Sequence, residues 1–258
     1  MNKVIAGFGE VMLRLTPSGN LRLSQALPGA LNGTFGGAEA NVCASLARLG
    51  APSRFLTALP HNPISESCVA QLRGLGVEVD RILYQPTGRM GVYYTETGAN
   101  QRSSQVIYDR EHSVISECGP EAYDMTSMLE GVGHLHVTGI TPALSEKAFR
   151  TTLKMLEVAR QMKIQISLDL NFRNRLWNWR PGCSARELAQ ECMTHLASLA
   201  DVIIGNEEDA ADVFGIWADG ADVEQGRLNL SGYEAVAQEM SRRFPQCSYI
   251  AFTLRESV

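Results

Sequence analysis

The feature that most constrains this chain is an alternation of short apolar runs with amphipathic segments of helical period. Val4 to Phe8 reads as a first buried strand. Ala38 to Leu49 follows a helical repeat, with Val42, Leu46 and Leu49 on one face and Gly50 as its stop. Arg54 to Leu59 is strand-like, and Pro63 suits the first turn of a helix whose Val69, Leu72 and Leu75 share a face. The rhythm repeats downstream. His134 to Thr138 is a strand, Ser145 caps a helix reaching Met162, and Ile164 to Leu170 is a strand. Ala185 to Leu199 is a helix, Asp201 to Gly205 a strand, and Glu207 to Phe214 and Tyr233 to Phe244 are helices. Tyr249 to Leu254 is a last strand. Strands that alternate with helices predict an α/β fold, a mostly parallel sheet with helices on both faces.

Two stretches break the rhythm. Met12 to Thr34 and Gly88 to Tyr108 read as β segments without helices between them, with a turn at Gly98-Ala-Asn-Gln101. Paired, they would make a small β lid, about 12–34 and 88–110, on a single α/β domain spanning 1–258. The chain ends just after a strand, where a βα architecture normally supplies a helix, so a continuation past Val258 is expected.

Composition excludes several classes. With 23 Lys and Arg against 28 Asp and Glu, the net charge of −5 argues against a nucleic-acid partner, which needs a basic face. No apolar run approaches the roughly 18 residues of a membrane span, and the N-terminus lacks signal-peptide character. The expected address is the cytoplasm. The six cysteines, none in a CxxC pair, read as reduced thiols rather than a zinc site. GxxxxGK[ST] does not occur, and Gly7 and Gly9 open no dinucleotide-binding helix, which excludes both common phosphate motifs.

Four segments could carry chemistry. Gly36-Gly-Ala-Glu-Ala-Asn41 opens a helix, where paired glycines admit a ligand to the backbone and free N–H groups face it. It also reads as a tight strand-to-helix turn. Asp169-Leu-Asn-Phe-Arg173 follows a strand. If extended, it would send Asp169, Asn171 and Arg173 to one side, at the end where α/β sheets gather ligands. An Asp–Arg pair in a solvated loop is the plainer reading. Tyr93, Tyr108 and Arg110 lie in the lid region. Tyrosine offers a face and a hydroxyl to a sugar and arginine a planar fork to a carboxylate, though strand tyrosines also pack. Asn206-Glu-Glu-Asp209 fits an N-cap followed by acids in a first helical turn, and its carboxylates could also hold the waters of Mg²⁺.

These segments in this order resemble the ribokinase-like carbohydrate kinases, most of all the 2-keto-3-deoxygluconate kinases. The likeness is carried by Gly36-Gly-Ala-Glu-Ala-Asn-Val-Cys-Ala-Ser-Leu-Ala-Arg-Leu-Gly50, by Thr138-Gly-Ile-Thr-Pro-Ala-Leu-Ser145 and by Asp169-Leu-Asn-Phe-Arg-Asn-Arg-Leu-Trp177. It extends to Thr253. The resemblance implies that Gly36, Gly37 and Asn41 bind substrate hydroxyls, and that Tyr93, Tyr108, Arg110 and Arg173, with Asn171 beside them, bind the chain and acid end of a sugar acid. It implies that Asn206 and Asp209 lie near Mg²⁺ and phosphate, acting on the ion through water. It places Asn206, Thr253 and Arg255 at an ATP site. A homodimer through the β lid is a further implication. The reaction implied is ATP-dependent phosphorylation of the terminal hydroxyl of a 2-keto-3-deoxy sugar acid. A fructokinase and an inactive sugar-acid-binding fragment are the alternatives.

The sequence departs from the pattern at Asp209, where the family has Glu, at Arg255, where it has Gly, and at His61-Asn-Pro-Ile-Ser65, where it has Asp-x-x-Gly. The family's Gly-rich loop followed by a basic Asp has no match in 1–258. Asp219-Gly220 precedes the last strand and is misplaced for it. The general base is therefore expected beyond Val258.

Overall fold

The computed structural model describes residues 3–217 and 230–253, so Asp219, Gly220 and Arg255 lie outside the described residues. In chain order the first strands and helices are β1 (Val4–Phe8), β2 (Met12–Thr16), α1 (Leu23–Ala26), β3 (Asn32–Gly36), α2 (Ala38–Arg48) and β4 (Ser53–Leu56). There follow β5 (Ala58–Pro60), α3 (Pro63–Gly74), β6 (Leu83–Gln85), β7 (Val92–Glu96), β8 (Gln105–Asp109) and α4 (Val114–Glu117). After a 3₁₀ turn at Pro120–Ala122 come α5 (Met125–Met128), β9 (Val132–Thr138), α6 (Glu146–Gln161), β10 (Gln165–Asp169) and α7 (Ala185–Ala197). The last are β11 (Val202–Gly205), α8 (Glu207–Phe214), α9 (Leu230–Arg243) and β12 (Tyr249–Phe252). The chain divides into two compact units, Gly7–Cys118, and Gly119–Val258 together with Met1–Ala6.

In the second of these units β10 pairs in parallel with both β9 and β11, and β11 pairs in parallel with β12. The start of β1 runs on the far side of β9. Each parallel step needs a crossover, and α6, α7 and the α8–α9 segment supply them. Local signals set the helix ends. Ser145 Oγ accepts from Ala148 N at 3.0 Å to start α6, and Ser184 with Glu187 forms a reciprocal cap on α7. The strands β9 and β10 bury Leu135, Val137, Ile166 and Leu168 completely, as α6 buries Met155 and Leu156. Burial of each such side chain contributes about 1.5–3 kcal/mol.

The Gly7–Cys118 unit holds its own core, in which Val11, Cys43, Phe55, Leu59, Cys68, Val69, Leu72 and Ile82 are packed together. Asn62, in the stretch that departs from the family turn, caps α3 by accepting from Ser65 N at 3.0 Å, with Pro63 in the first turn. The two irregular stretches form a four-stranded sheet in the order β3-β2-β7-β8. It is mixed, antiparallel at β2–β3 and β7–β8 and parallel at β2–β7. One face of it closes the core through Leu13 and Phe35. The short α1 interrupts the first stretch, which was expected to be free of helix. Its one-turn length carries little hydrophobic periodicity to read.

All six cysteines are free, and burial pushes the Cys43, Cys68 and Cys192 thiols up to about 12, so they pack as small apolar groups. Among the described residues no helix is long and apolar enough to cross a membrane.

The β9–β10 pair buries an unusual polar chain. Ser167 Oγ lies 2.7 Å from His134 Nε2 and 2.9 Å from His136 Nδ1. Burial, helped by the neighbouring His134, lowers the His136 pKa from 6.5 to about 4. The unfolded chain therefore takes up a proton near pH 6.5 that the folded chain refuses until about pH 4. Stability is full above that window and falls as pH drops through it, by about 3 kcal/mol for this one group. Urea unfolding of His136→Asn, which keeps a group at the Nδ1 position, should lose that slope. A variant with the pH profile of the wild type would contradict this account.

Candidate functional site

In the Gly7–Cys118 unit the predicted glycines are required for space rather than for backbone angle. Gly37 is the N-cap of α2 with φ −169°, an extended conformation open to any residue. A Cβ at Gly37 would collide with the backbone carbonyl of Glu10, and one at Gly36 would lie 2.6 Å from the Tyr93 hydroxyl oxygen. The missing side chain at Gly36 thus gives the Tyr93 hydroxyl its place against the backbone of β3. Asn41 is exposed in the first turn of α2, its N–H donating to Gly37 O at 2.9 Å.

The strand register builds a polar row across the four-stranded sheet. Thr34 of β3 lies opposite Arg14 of β2, Arg14 opposite Tyr93 of β7, and Tyr93 opposite Tyr108 of β8. Residues directly across a ladder share a face. The Tyr93 and Tyr108 rings are 6.0 Å apart and tilted by 32°. Burial raises the Tyr93 pKa, with the Arg14 charge working against it, so this phenol stays a protonated donor at neutral pH. Tyr108 is 53% exposed.

Arg110 is placed differently from the open cation that its residue type suggested. Its side chain is buried, its guanidinium pairs with the carboxylate of Glu10, and it lies 5.4 Å from the centre of the Tyr108 ring. Ser113 Oγ donates to the other Glu10 oxygen at 2.8 Å. Arg110 therefore positions Tyr108 and locks the exit of β8 to the segment after β1. Glu10 is the residue that sequence reasoning missed here, because its partner is 100 residues away. Arg14 was missed for a similar reason: alone it is one charge in an alternating strand.

In the Gly119–Val258 unit, the segment after β10 does not stay extended. Asn171 has φ +35°, so the expected alternation of Asp169, Asn171 and Arg173 onto one side does not occur. The turn serves Asp209 instead. Asp209 Oδ1 accepts from Phe172 N at 3.0 Å and Oδ2 from Asn206 N at 3.2 Å, while Asn206 Oδ1 accepts from Asp209 N at 2.7 Å. This is a complete capping box on α8, with one oxygen also fixing the Asp169–Arg173 loop. Arg173 is exposed, with Nη1 donating to Phe172 O at 3.0 Å. Thr253 continues β12 with its N–H on Gly205 O at 2.9 Å and its side chain exposed.

Asp169 is the perturbed acid of this loop. Burial raises its pKa, the Asp209 charge adds to that, and an Asn171 backbone hydrogen bond and Arg173 only partly offset it. The donor set suits magnesium in its hydrated form. Both Asp209 oxygens and Asn206 Oδ1 already accept backbone N–H groups, so they would meet the ion through its waters. Among the described residues no group of three His, Cys, Asp or Glu could take a metal directly.

Residues 4–227 match the description of the pfkB family carbohydrate kinases, and the chain belongs to that family. It is similar to a 2-dehydro-3-deoxygalactonokinase of Haloferax volcanii, 32% identical over 81% of this chain and 62% of the relative. A 2-dehydro-3-deoxygluconokinase of Thermoproteus tenax is 28% identical over 80% of this chain and 63% of the relative. The crystal structure of a 2-dehydro-3-deoxygluconokinase from Thermotoga maritima superposes with a TM-score of 0.84 at 39% identity, covering 94% of this chain and 69% of that one. The chain thus spans a little over three fifths of the length of these curated relatives.

Two outcomes follow. Glu10→Ala leaves the Arg110 guanidinium buried without its carboxylate and should cost about 3–5 kcal/mol in denaturant unfolding. A loss below 1 kcal/mol would mean that water reaches the pair. Asp169→Asn removes an ionised carboxyl that the fold disfavours. An acid whose folded pKa is raised destabilises once the pH exceeds its unfolded value, so the Asn variant should be more stable than the wild type at pH 7, with the gain vanishing near pH 3. A less stable variant at pH 7 would show that Arg173 and the Asn171 hydrogen bond outweigh the repulsion.

Proposed function

We propose that the chain binds a 2-keto-3-deoxy sugar acid and, with ATP and Mg²⁺, serves phosphorylation of its terminal hydroxyl. The observation that carries this reading is the Tyr93–Tyr108 pair, with the Tyr93 hydroxyl seated against Gly36, within a family of carbohydrate kinases. Two tyrosines offer flat apolar surface to a sugar chain and two hydroxyl donors to its oxygens. Gly36, Gly37 and Asn41 add backbone and amide groups next to them. Arg173, Asn171 and Arg110 are assigned to the acid end and chain, Arg110 acting through the placement of Tyr108. Relatives named for 2-dehydro-3-deoxy sugar acids support the acid as substrate.

Phosphoryl transfer asks mainly for alignment of the attacking hydroxyl and neutralisation of charge on the transferred group. In this reading Asn206 and Asp209 hold waters of the magnesium ion, which supplies the charge neutralisation. Asn206 and Thr253, with Arg255, border the nucleotide. We assign no general base among the described residues. The β2–β3–β7–β8 sheet would act as a lid. Its outer strand β8, with Val106, Ile107 and Tyr108 exposed, would pair with a second copy of the chain in the cytoplasm.

The test is a panel of sugar acids and neutral ketoses with ATP and magnesium. Turnover should favour 2-keto-3-deoxygluconate or its galactonate epimer. Arg173→Ala should raise KM for the acid by about 10- to 150-fold more than for a neutral ketose, the effect of losing a charge-assisted pair worth about 1.5–3 kcal/mol. Preference for fructose over every acid would replace this reading with a fructokinase. Binding of the acid without turnover would leave a sugar-acid-binding chain.

A further inference from the structure

We propose that one face of the β9–β12 sheet, centred on Val202, Ile204, Tyr249 and Ala251, is a docking surface. Its occupant is an amphipathic helix from the part of the carbohydrate-kinase fold that these 258 residues do not span. The role requires no particular substrate.

Strand register defines the two faces. Leu168 of β10 lies opposite Val137 of β9 and Ile203 of β11, and Ile203 lies opposite Ile250 of β12. Side chains alternate along a strand, so Ile166 and Phe252 belong to this face too. It is the covered one. Val137, Ile166, Leu168 and Ile203 have no exposed surface. At its outer end the Tyr233 ring of α9 lies 5.7 Å from the Phe252 ring.

The opposite face is covered only in part. One row crosses it as His136, Ser167, Val202 and Tyr249, from β9 to β12. Burial runs out along that row. His136 and Ser167 are 7% and 5% exposed, Val202 is half-buried, and Tyr249 is 67% exposed. Two residues further along, Ile204 is half-buried and Ala251 is exposed. β12 is also the end strand of the sheet, so no further strand among the described residues shields it. Parallel strands are normally covered on both faces, because the crossovers that join them are helices. Here the outer two strands show apolar side chains to water on one side. An exposed apolar strip on a sheet of this class marks an interaction surface.

Two observations identify the occupant. The first is extent. The Thermotoga maritima structure matches 94% of this chain with a TM-score of 0.84, yet this chain covers only 69% of it. The Haloferax volcanii and Thermoproteus tenax relatives are covered to 62% and 63%. Each relative thus carries a large part of its fold outside the matched residues, and in a layered α/β fold a sheet face is closed by helices. The second is chemistry. Val202, Ile204 and Ala251 offer a shallow aliphatic floor, with the Tyr249 ring as its rim. Toward β9 the face turns polar, where His134 Nδ1 lies 3.2 Å from the exposed Gln165 side chain. A helix with an apolar stripe over β11 and β12 and a polar flank toward Gln165 fits both parts.

The experiment uses overlapping peptides of about 20 residues, each long enough for a helix of roughly 30 Å. Together they cover the part of the Thermotoga maritima 2-dehydro-3-deoxygluconokinase that this chain does not match. Binding to the 258-residue chain is read by fluorescence anisotropy, and peptide helicity by circular dichroism. At least one peptide should bind and gain helicity. Tyr249→Asp should weaken that binding by about tenfold or more. Leu49→Asp, at a residue 83% exposed in the Gly7–Cys118 unit, should leave it unchanged. Ala251→Asp on the same face replaces Tyr249→Asp if melting shows that variant unfolded. Binding of no peptide, or equal binding to wild type and the face variant, would overturn the proposal. So would sedimentation showing a dimer that Tyr249→Asp dissociates, which would give the face to a second copy of the chain. No sugar or nucleotide enters these measurements, so the sugar-acid reading stands or falls separately.

Discussion

The ion pair of Glu10 with Arg110 is the interaction on which the Gly7–Cys118 unit turns. A buried carboxylate is tolerated only when its charge is answered and its lone pairs are filled. Here Arg110 answers the charge and Ser113 fills the second oxygen. Meeting those demands draws distant segments together. Gly37 must lack a side chain because its backbone presses on the Glu10 carbonyl, and a Cβ at Gly91 would lie 3.0 Å from Glu10 Oε1. The start of α2, the approach to β7 and the exit of β8 are therefore all referenced to one residue. Tyr93 and Tyr108 inherit their positions from it, since they lie on the strands so fixed.

The Gly119–Val258 unit solves a related problem with a different outcome. Asp209 accepts hydrogen bonds on both oxygens, as cap of α8 and as acceptor for Phe172 N, whereas Asp169 is half-buried near a like charge. Folded proteins keep such strained acids mainly where a cation or a proton is to be handled. Asp209 supplies the geometry of the loop, and Asp169 is its acid of raised pKa. His136 shows that perturbed ionisation alone does not mark a site. It lies within a strand pair whose polar chain is closed on itself through Ser167.

Much of the fold was legible in the residues. Helices α2, α3, α6, α7 and α8 start and stop within a few residues of where periodicity, caps and glycines put them, because those signals act between neighbours in the chain. Strands β1 and β11 were legible as short apolar runs, and β9 and β10 through apolar residues two apart, Leu135 with Val137 and Ile166 with Leu168. The family signature at Gly36–Asn41 was legible too, although its reason was not: the glycines answer to Glu10 and Tyr93, which no local pattern connects to them. The short α1, α4 and α5 carry too few residues to show a period.

Sequence alone determined the class of the sheet and the membership of the helices, since each depends on residue types at fixed local spacing. Tertiary structure decided which charges are available to a ligand. Arg110 and Arg14 are both arginines in β stretches, and residue type does not separate them. Pairing β2 with β7 in parallel across about 80 residues sets Arg14 beside Tyr93, and bringing Glu10 to Arg110 across 100 gives Arg110 a carboxylate that Arg14 lacks among the described residues. The free energy of a buried charge is set by what surrounds it in space, and a one-dimensional pattern does not contain that.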